Sequence, residues 1–289
     1  MKKKSSIGTH QSAIVLALTL IGGVANAAFV NIGNAGNADD TVGAGYGGVD
    51  YTYKISSTEV TIAEFQAATG AGDGYENYWN TGTRTVGTGA PASYVTLYEA
   101  RKYCNWLSTG NVNSGYYGTG GNNMSALSHI EYATANGKTY FVPTEDEWYK
   151  AAYWTGLGYS DYANGDDVAD GAPIQGDAGG WNYDYALSSP NYTRDATLGA
   201  TEQNETINMM GNVYEWMEDP AGIIRGGSFN YYETNLRSSY RGEYTPSSEW
   251  NSIGFRVVEV VPEPATALSL MLGGVVVAGY RRIRKSYGL

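Results

Sequence analysis

Glycine is spread so densely through this chain that it leaves little room for long regular elements. The sequence has 39 Gly among 289 residues, and Asn, Asp, Ser and Thr surround many of them. These residues favour turns, because glycine reaches positive φ without steric cost and Asn and Asp side chains hydrogen-bond to nearby backbone. The sequence therefore predicts short elements joined by long, structured loops, of which residues 109–139 and 156–200 are the longest.

Three short helices stand out against this background. Residues 61–68 form the first, with Thr61 as its candidate N-cap. Residues 97–107 form the second, and Cys104 is expected to point from it into a core. A third helix begins near Thr144, because the sequence from there to Glu147 matches a capping box. The apolar positions of the second helix recur at three-and-four spacing: Leu97, Ala100, Cys104 and Leu107.

Both ends of the chain have the pattern of targeting segments. Basic residues 2–4, the apolar stretch 13–24 and the small-residue motif 25–27 form a signal peptide, residues 1–27, with expected cleavage after Ala27. Near the other end, residues 265–280 are uncharged and fall slightly short of the roughly 20 residues that span a bilayer. The basic cluster that follows is expected to stay cytoplasmic. Residues 28–261 remain, a length that suits one domain.

The C-terminal segment has a more specific pattern than a simple anchor. Pro262, Glu263 and Pro264 precede the apolar run and the basic cluster. In this order, residues 262–285 resemble the PEP-CTERM sorting signal of Gram-negative bacteria. The resemblance implies a transient inner-membrane helix, processing by an exosortase, and a final place on the cell surface or in an extracellular matrix rich in exopolysaccharide. An ordinary C-terminal anchor is the alternative interpretation.

The charge of the middle region limits its partners. The chain has 18 Lys and Arg and 29 Asp and Glu, of which seven basic residues and one acidic residue lie in the two end segments. The middle therefore holds 11 basic and 28 acidic residues, a net charge of −17. Such a domain is not expected to bind nucleic acid through its net field, whereas it could hold calcium, which prefers hard oxygen ligands.

Cysteine and histidine are too scarce for several common sites. Cys104 is the single cysteine, so the sequence excludes an intramolecular disulfide. Only His129 lies outside the predicted signal peptide, which argues against a Cys/His zinc site. A Ser-His-Asp triad would depend entirely on His129, in a polar, loop-like stretch.

Six short motifs in a fixed order carry a resemblance to a known family. Together they resemble the formylglycine-generating enzymes, also called the sulfatase-modifying-factor domain family, over residues 29–259. The resemblance implies an α+β fold, a variant of the C-type-lectin-like fold with low regular secondary structure and long loops. The motifs are STEVT at 57–61, ARKYCNWL at 100–107, VPTEDEW at 142–148, NMMGNVYEW at 208–216, IRGGSF at 224–229 and GFR at 254–256.

The activity that the resemblance implies is in conflict with one interval of this chain. Family enzymes oxidise a sulfatase cysteine to formylglycine with oxygen and a copper ion held by two cysteines between the GGS and GFR motifs. Here that interval, residues 229–253, contains no cysteine, and Tyr231 and a residue near Leu236 fall where the pair would be. Tyrosine does not replace a thiolate at neutral pH. We therefore expect no copper and no standard oxidase activity.

The resemblance also implies a structural calcium ion. Its ligands would be the Asn208 side chain, the backbone carbonyls of Gly211 and Val213, and the Glu215 carboxylate. Hard oxygen ligands within eight residues suit calcium. The alternative is that Asn208 and Glu215 only cap a turn. A second calcium site near Asn191 stays open.

The interval without cysteines is a candidate binding surface. It mixes aromatic side chains with Asn and Ser, a combination that binding loops favour. The alternative is that the tyrosines only fill the space of a lost active site. The candidate ligand-binding residues are Asn230, Tyr231, Tyr232, Tyr240, Tyr244 and Trp250.

Three functions are compatible with the sequence. The favoured one is an exported, non-catalytic, calcium-stabilised domain that binds exopolysaccharide or a surface partner. The second is a divergent formylglycine-generating oxidase acting on sulfatase cysteines. The third is a protein–protein adaptor on the envelope, which the sequence does not separate from the first.

Overall fold

Two four-stranded sheets frame the domain in a computed structural model of the chain. The structure describes residues 28–69, 87–168, 173–176, 179–187 and 192–262. In chain order the strands are β1 (Phe29–Ile32), β2 (Tyr53–Ser56), β3 (Thr139–Phe141), β4 (Tyr214–Trp216), β5 (Ile223–Arg225), β6 (Gly242–Glu243), β7 (Ile253–Gly254) and β8 (Val258–Val260). The helices are α1 (Ile62–Thr69), α2 (Leu97–Thr109), α3 (His129–Asn136) and α4 (Glu145–Tyr153).

The first sheet joins the two ends of the domain. Its order is β1-β2-β8-β3, and every pairing is antiparallel. Because β8 lies between β2 and β3, the chain leaves the domain from a central strand. The second sheet has the order β6-β5-β4-β7, with β4 and β7 parallel. Glu215 on β4 lies opposite Arg225 on β5, so two of the sequence motifs meet in this sheet.

The strands are only two to four residues long, and the remaining described segments are turns, bends and short 3-10 helices. This agrees with the prediction of an α+β fold with little regular secondary structure. Large aromatic side chains fill the core between these elements. Trp148, Tyr149 and Tyr153 of α4 are fully buried, as are Trp216 of β4 and Phe255 next to β7.

The three predicted helices are confirmed, and reciprocal capping contacts are present at the start of each. Thr96 and Thr144 each accept from the backbone N–H three residues on, while the glutamates at 99 and 147 reach back to the cap. Thr61 and Glu64 form the same reciprocal contacts at the start of α1. Cys104 is buried, as expected from its position in α2.

The prediction that residues 109–139 are irregular throughout was wrong. Helix α3 spans His129–Asn136 within this segment. Ser128 and Glu131 form a complete capping box at its start. The loop-forming residues that flank this segment hid the signal, although a Ser followed three residues later by Glu is a helix-start pattern. The described parts of 156–200 contain no helix or strand longer than a single bridge or turn, as predicted.

The predicted targeting segments lie almost entirely outside the described residues. This holds for the signal peptide 1–27, for Glu263 and Pro264, and for the apolar run and basic cluster that follow. Pro262 is the last described residue. None of the helices that the structure describes is long and apolar enough to cross a membrane.

Candidate functional site

The predicted binding interval folds into a surface built from four tyrosines and a tryptophan. We call Tyr214, Tyr231, Tyr240, Tyr244 and Trp250 the tyrosine face. Tyr214 comes from β4, and the others come from the loops on either side of β6. The ring of Tyr214 lies 5.1 Å from that of Tyr231 and 5.9 Å from that of Tyr240, centroid to centroid. Tyr244 contacts Trp250 at 6.2 Å.

The tyrosine face is graded from buried to exposed. Tyr214 is only 1% exposed and forms its floor, while the three other tyrosines are half-buried around it. Trp250 is 52% exposed at its rim. Aromatic rings in this arrangement keep one face free for contact with a ligand and use the other for packing.

The phenol groups of the face are hydrogen-bonding groups at neutral pH. The hydroxyls of Tyr231 and Tyr244 lie 3.3 Å apart, and this hydrogen bond, with burial, raises the pKa of Tyr244 to about 12. Burial raises the pKa of Tyr214 well above its usual value. Its Oη is buried near the side chains of Tyr240 and Asn235 but makes no well-aligned hydrogen bond among the described residues. The face can therefore donate and accept hydrogen bonds, but it offers no general base.

Two of the predicted ligand-binding residues are not integrated into these ring contacts. Tyr232 is 68% exposed, and its backbone carbonyl accepts from Asn235 at the start of a 3-10 helix. The Asn230 amide oxygen accepts from the Ser228 hydroxyl at 2.8 Å. The structure thus brings together four of the six predicted residues and adds Tyr214 of the motif at 208–216.

The two positions expected for copper-binding cysteines hold residues with other roles. The Tyr231 hydroxyl is hydrogen-bonded to the Tyr244 hydroxyl, and Leu236 is fully buried in the core. The single cysteine, Cys104, is buried in α2, and burial raises the pKa of its thiol well above the usual value. The side chains at these positions do not fit a copper–thiolate centre, which needs accessible thiolates.

His129 lies in a buried ion cluster that excludes a catalytic triad. Its Nδ1 is 3.0 Å from both carboxylate oxygens of Glu147, and its Nε2 contacts Glu218. Burial by itself would lower the pKa of His129, but the two carboxylates outweigh burial and raise it to about 10. Because the imidazolium is held by two acids, it is not available as a general base for a serine.

A polar cleft that no sequence pattern predicts lies beside this cluster. The cleft has a volume of about 310 Å³. Arg241 at its edge donates from Nε to Glu145 at 3.0 Å, and Glu145 also accepts from Arg225 at 2.5 Å. The residues come from five distant parts of the chain, so no local motif marks them. The lining residues are Tyr46, Met124, Thr144, Glu145, Asp146, Glu218, Asp219, Pro220 and Arg241.

The predicted calcium ligands are close in sequence, but arginines already hold both of their side chains. The Asn208 amide oxygen accepts from Arg194 at 2.7 Å. The Glu215 carboxylate accepts from Arg256 at 2.6 and 2.7 Å and from the Trp148 indole at 2.6 Å. Among the described residues, no group of three or more His, Cys, Asp or Glu is arranged to hold a metal ion.

These contacts do not fit calcium at the four predicted positions, because the ion would have to displace an arginine from each side-chain ligand. Calcium at Asn208, Gly211, Val213 and Glu215 stays a prediction, and no function below depends on it. The network also includes Glu59, which receives hydrogen bonds from both Asn208 and Asn212. Burial and the nearby Glu215 raise the pKa of Glu59 to about 8.

The fold and motifs agree with a match to a known family. The profile of the sulfatase-modifying factor enzyme 1-like domain matches residues 40–261. The chain therefore belongs to this family. A search of curated proteins finds no match to the chain.

Solved structures show the same fold at low sequence identity. Treponema denticola variable protein 1 has a TM-score of 0.54 and 21% identity, over 80% of this chain and 94% of that chain. CarF has a TM-score of 0.52 and 22% identity, over 82% of this chain and 99% of that chain. PvdO from Pseudomonas aeruginosa is less similar, with a TM-score of 0.47 and 19% identity, over 81% of this chain and 92% of that chain. At this identity the likeness defines the fold alone.

Proposed function

We propose that this domain is a non-catalytic binding module whose ligand contacts the tyrosine face. The proposal rests on which residues occupy the two positions where the family's enzymes have copper-binding cysteines. Tyr231 joins an aromatic surface and Leu236 joins the core, so the region that serves chemistry in the family's enzymes is built here for contact. A surface of half-buried aromatic rings with polar tips is well suited to recognition.

The ligand class that we propose is a polysaccharide of the cell envelope or matrix. Aromatic rings stack on the apolar faces of sugar rings, while phenol hydroxyls exchange hydrogen bonds with sugar hydroxyls. Trp250 supplies an exposed ring at the rim, and Tyr231 and Tyr244 supply half-buried hydroxyls that lie 3.3 Å apart.

The location that we propose follows from the two ends of the sequence. A signal peptide exports the protein, and the segment from Pro262 onward holds it in the inner membrane until an exosortase processes it. The domain then resides on the cell surface or in the matrix of a Gram-negative bacterium. Mass spectrometry of the secreted and membrane fractions tests this: chain ends near Ala27 and near Pro262–Pro264 support it, and an intact chain in the cytoplasm contradicts it.

Binding of the full-length purified protein to exopolysaccharide from the producing organism tests the proposed function. We expect saturable binding, measured both with calcium and with a chelator. Dependence on calcium would make Asn208 and Glu215 the first residues to substitute. Absence of binding by a folded sample in both conditions would overturn the polysaccharide proposal, and pull-down of a defined envelope protein would then favour an adaptor.

Two substitutions locate the ligand. Trp250→Ala removes an exposed ring that packs on Tyr244, and we expect a roughly tenfold or greater loss of affinity, about 1.4 kcal/mol or more. Tyr140→Ala is the matched control, because Tyr140 is a half-buried aromatic residue on β3, outside the tyrosine face. Equal affinities of both variants and the parent protein would mean that the ligand binds elsewhere.

A further inference from the structure

In this chain, arginine guanidinium groups hold both side chains that would bind calcium in this family, Asn208 and Glu215. Arg194 is 4% exposed, and its Nη2 donates to the Asn208 amide oxygen at 2.7 Å. Asn208 would be the first side-chain ligand of the ion. A buried cation therefore already faces the oxygen that the ion would need.

Arg194 connects the same kind of loop segments that a structural ion would connect. Its Nη1 donates to the Gly176 carbonyl and its Nη2 to the Gly180 carbonyl, both at 2.9 Å. Its backbone N–H donates to the Asn212 amide oxygen at 3.0 Å. One residue thus ties Gly176 and Gly180 to the loop that precedes β4. Such charge-assisted hydrogen bonds are the stronger ones in proteins.

The close packing around this contact leaves little freedom for rearrangement. A Cβ at Gly199 would lie 2.8 Å from both the Arg194 Nη2 and the Asn208 amide oxygen. Gly199 also has a φ of +135°, which favours glycine. The backbone therefore lies directly against the pair of side chains and holds them together.

Flipping the Asn208 amide would not release its oxygen for an ion. The amide nitrogen now donates to Glu59 at 3.2 Å and to the carbonyls of Ala196 and Leu198 at 3.1 and 3.2 Å. A flipped amide would turn its NH₂ group toward the Arg194 guanidinium and its oxygen toward these three acceptors. Donor would face donor and acceptor would face acceptor, so the observed orientation is strongly preferred.

The second side-chain ligand is held in the same way. Arg256 is fully buried, forms two hydrogen bonds with Glu215, and donates to the backbone carbonyls of Ser56 and Ile207. Calcium at Glu215 would compete with this bidentate ion pair. Removing the carboxylate from Arg256 would leave a buried charge without its partner, which is costly.

We propose that Arg194 takes over the role that a structural calcium ion has in the family, while Arg256 of the shared GFR motif holds the other end of the same loop. In this chain, hydrogen bonds from the two guanidinium groups hold the loop from Asn208 to Glu215, and the domain neither binds nor needs calcium there. The inference concerns how the fold is held and stands independently of the proposed polysaccharide binding.

Thermal unfolding of the full-length protein after removal of divalent ions tests this inference. We expect the Tm to change by less than about 1 °C when calcium is added to about 1 mM, a concentration that saturates tight sites. A structural ion at saturation would instead raise the Tm by roughly 5–10 °C in a domain of this size. A rise of that size in the parent protein, abolished by Asn208→Ala, would overturn the inference.

A substitution of Arg194 makes the test two-sided. Arg194→Met removes the guanidinium and retains the aliphatic bulk, so Asn208 becomes free to bind an ion. We expect a lower Tm than that of the parent protein and a partial recovery of several degrees with calcium. Arg237→Met is the control, because Arg237 pairs with Glu233 in a partly exposed contact away from Asn208. We expect no calcium response from this control.

Direct calcium binding to the parent protein, measured by equilibrium dialysis, decides the matter if Arg194→Met does not fold. One bound ion per chain that is lost in Asn208→Ala would overturn the inference, and no binding in the millimolar range would support it.

Discussion

The family motifs differ from the interval 229–253, between the GGS and GFR motifs, in how their side chains are buried and paired. In the motifs, buried charges are paired: Arg256 with Glu215, and Arg225 with Glu145, while Glu147 pairs with His129. In the interval 229–253, the aromatic side chains Tyr231, Tyr240 and Tyr244 are uncharged and lie half-buried around Tyr214 of the preceding motif.

The difference separates residues that hold the fold from residues that are open to a ligand. A charge inside a protein must be satisfied internally, so the paired charges of the motifs have little hydrogen-bonding capacity left for a ligand. An aromatic surface at the boundary can change its contacts at little cost. Substitutions in the motifs should therefore reduce stability, and substitutions in the tyrosine face should reduce binding.

The largest effect is expected from Arg256→Met. This change leaves Glu215 without its ion pair in the interior, close to the buried Glu59 and Glu202. Breaking a buried pair from one side typically costs about 3–5 kcal/mol. Urea unfolding of the full-length protein measures the loss, and a sample that does not fold at all is consistent with it.

Arg237→Met provides the matched comparison for Arg256→Met. Arg237 pairs with Glu233 four residues before it, and both side chains are partly exposed. Pairs of this kind contribute about 1 kcal/mol or less. If the two substitutions cost the same free energy of unfolding, the buried ion pairs of the motifs do not stabilise the fold more than a partly exposed pair does.

The next largest effect is a pH dependence that originates at His129. Folding raises the pKa of His129 from 6.5 to about 10, so the folded protein binds the proton more tightly than the unfolded chain does. The resulting stabilisation is complete below about pH 6.5 and is lost as the pH rises toward 10. We expect His129→Gln to cost on the order of 2–3 kcal/mol near pH 6 and much less near pH 10.

The difference between parent and variant removes the contribution of groups that do not contact His129. The pKa of Glu59 is raised to about 8, so Glu59 also loses stabilisation between pH 4.5 and 8, but it does so in both proteins. Burial alone would raise the pKa of Glu147, whereas contact with His129 lowers it, so the loss of this stabilisation as the pH falls is part of the measured difference. Urea unfolding at several pH values gives the difference. A difference that is constant with pH would contradict an imidazolium held between two carboxylates.

The sequence could predict what depends on neighbouring residues. The start of α4 was readable because its capping box is contained within four residues, and α2 was readable from the three-and-four spacing of its apolar residues. The order of the motifs predicted the fold. The lack of cysteines in residues 229–253 drew attention to the interval that contains most of the tyrosine face. The same logic could have found α3 from Ser128 and Glu131, but the surrounding glycines and asparagines outweighed it.

Contacts between distant segments were beyond sequence reasoning. Arg194 and Asn208 belong to a loop and a motif whose meeting depends on the whole fold, and no spacing rule joins them. Tyr214 belongs to the motif for which a metal site was predicted, and nothing in the sequence indicates that it forms the floor of the tyrosine face. The polar cleft at Glu145 and Arg241 combines five separate segments and leaves no local pattern in the sequence.

The smallest effect, and the sharpest test of the tyrosine face, is expected from Tyr244→Phe. The change removes the hydroxyl that pairs with Tyr231 and retains the ring that contacts Trp250. A hydrogen bond at a partly exposed position contributes about 0.5–1.5 kcal/mol, so the Tm should fall by only a few degrees. Tyr140→Phe is the hydroxyl-only control on β3, where the lost contact is with Lys138 at 2.8 Å.

The two explanations of the tyrosines differ in what this small change does to binding. If the face binds a polysaccharide, Tyr244→Phe weakens the affinity by more than its loss of stability explains, whereas Tyr140→Phe leaves the affinity unchanged. If the tyrosines only fill the space of a lost active site, both variants lose a little stability and bind equally well. Isothermal titration with exopolysaccharide, at a temperature where every variant is folded, separates these outcomes, because affinity is then measured independently of unfolding.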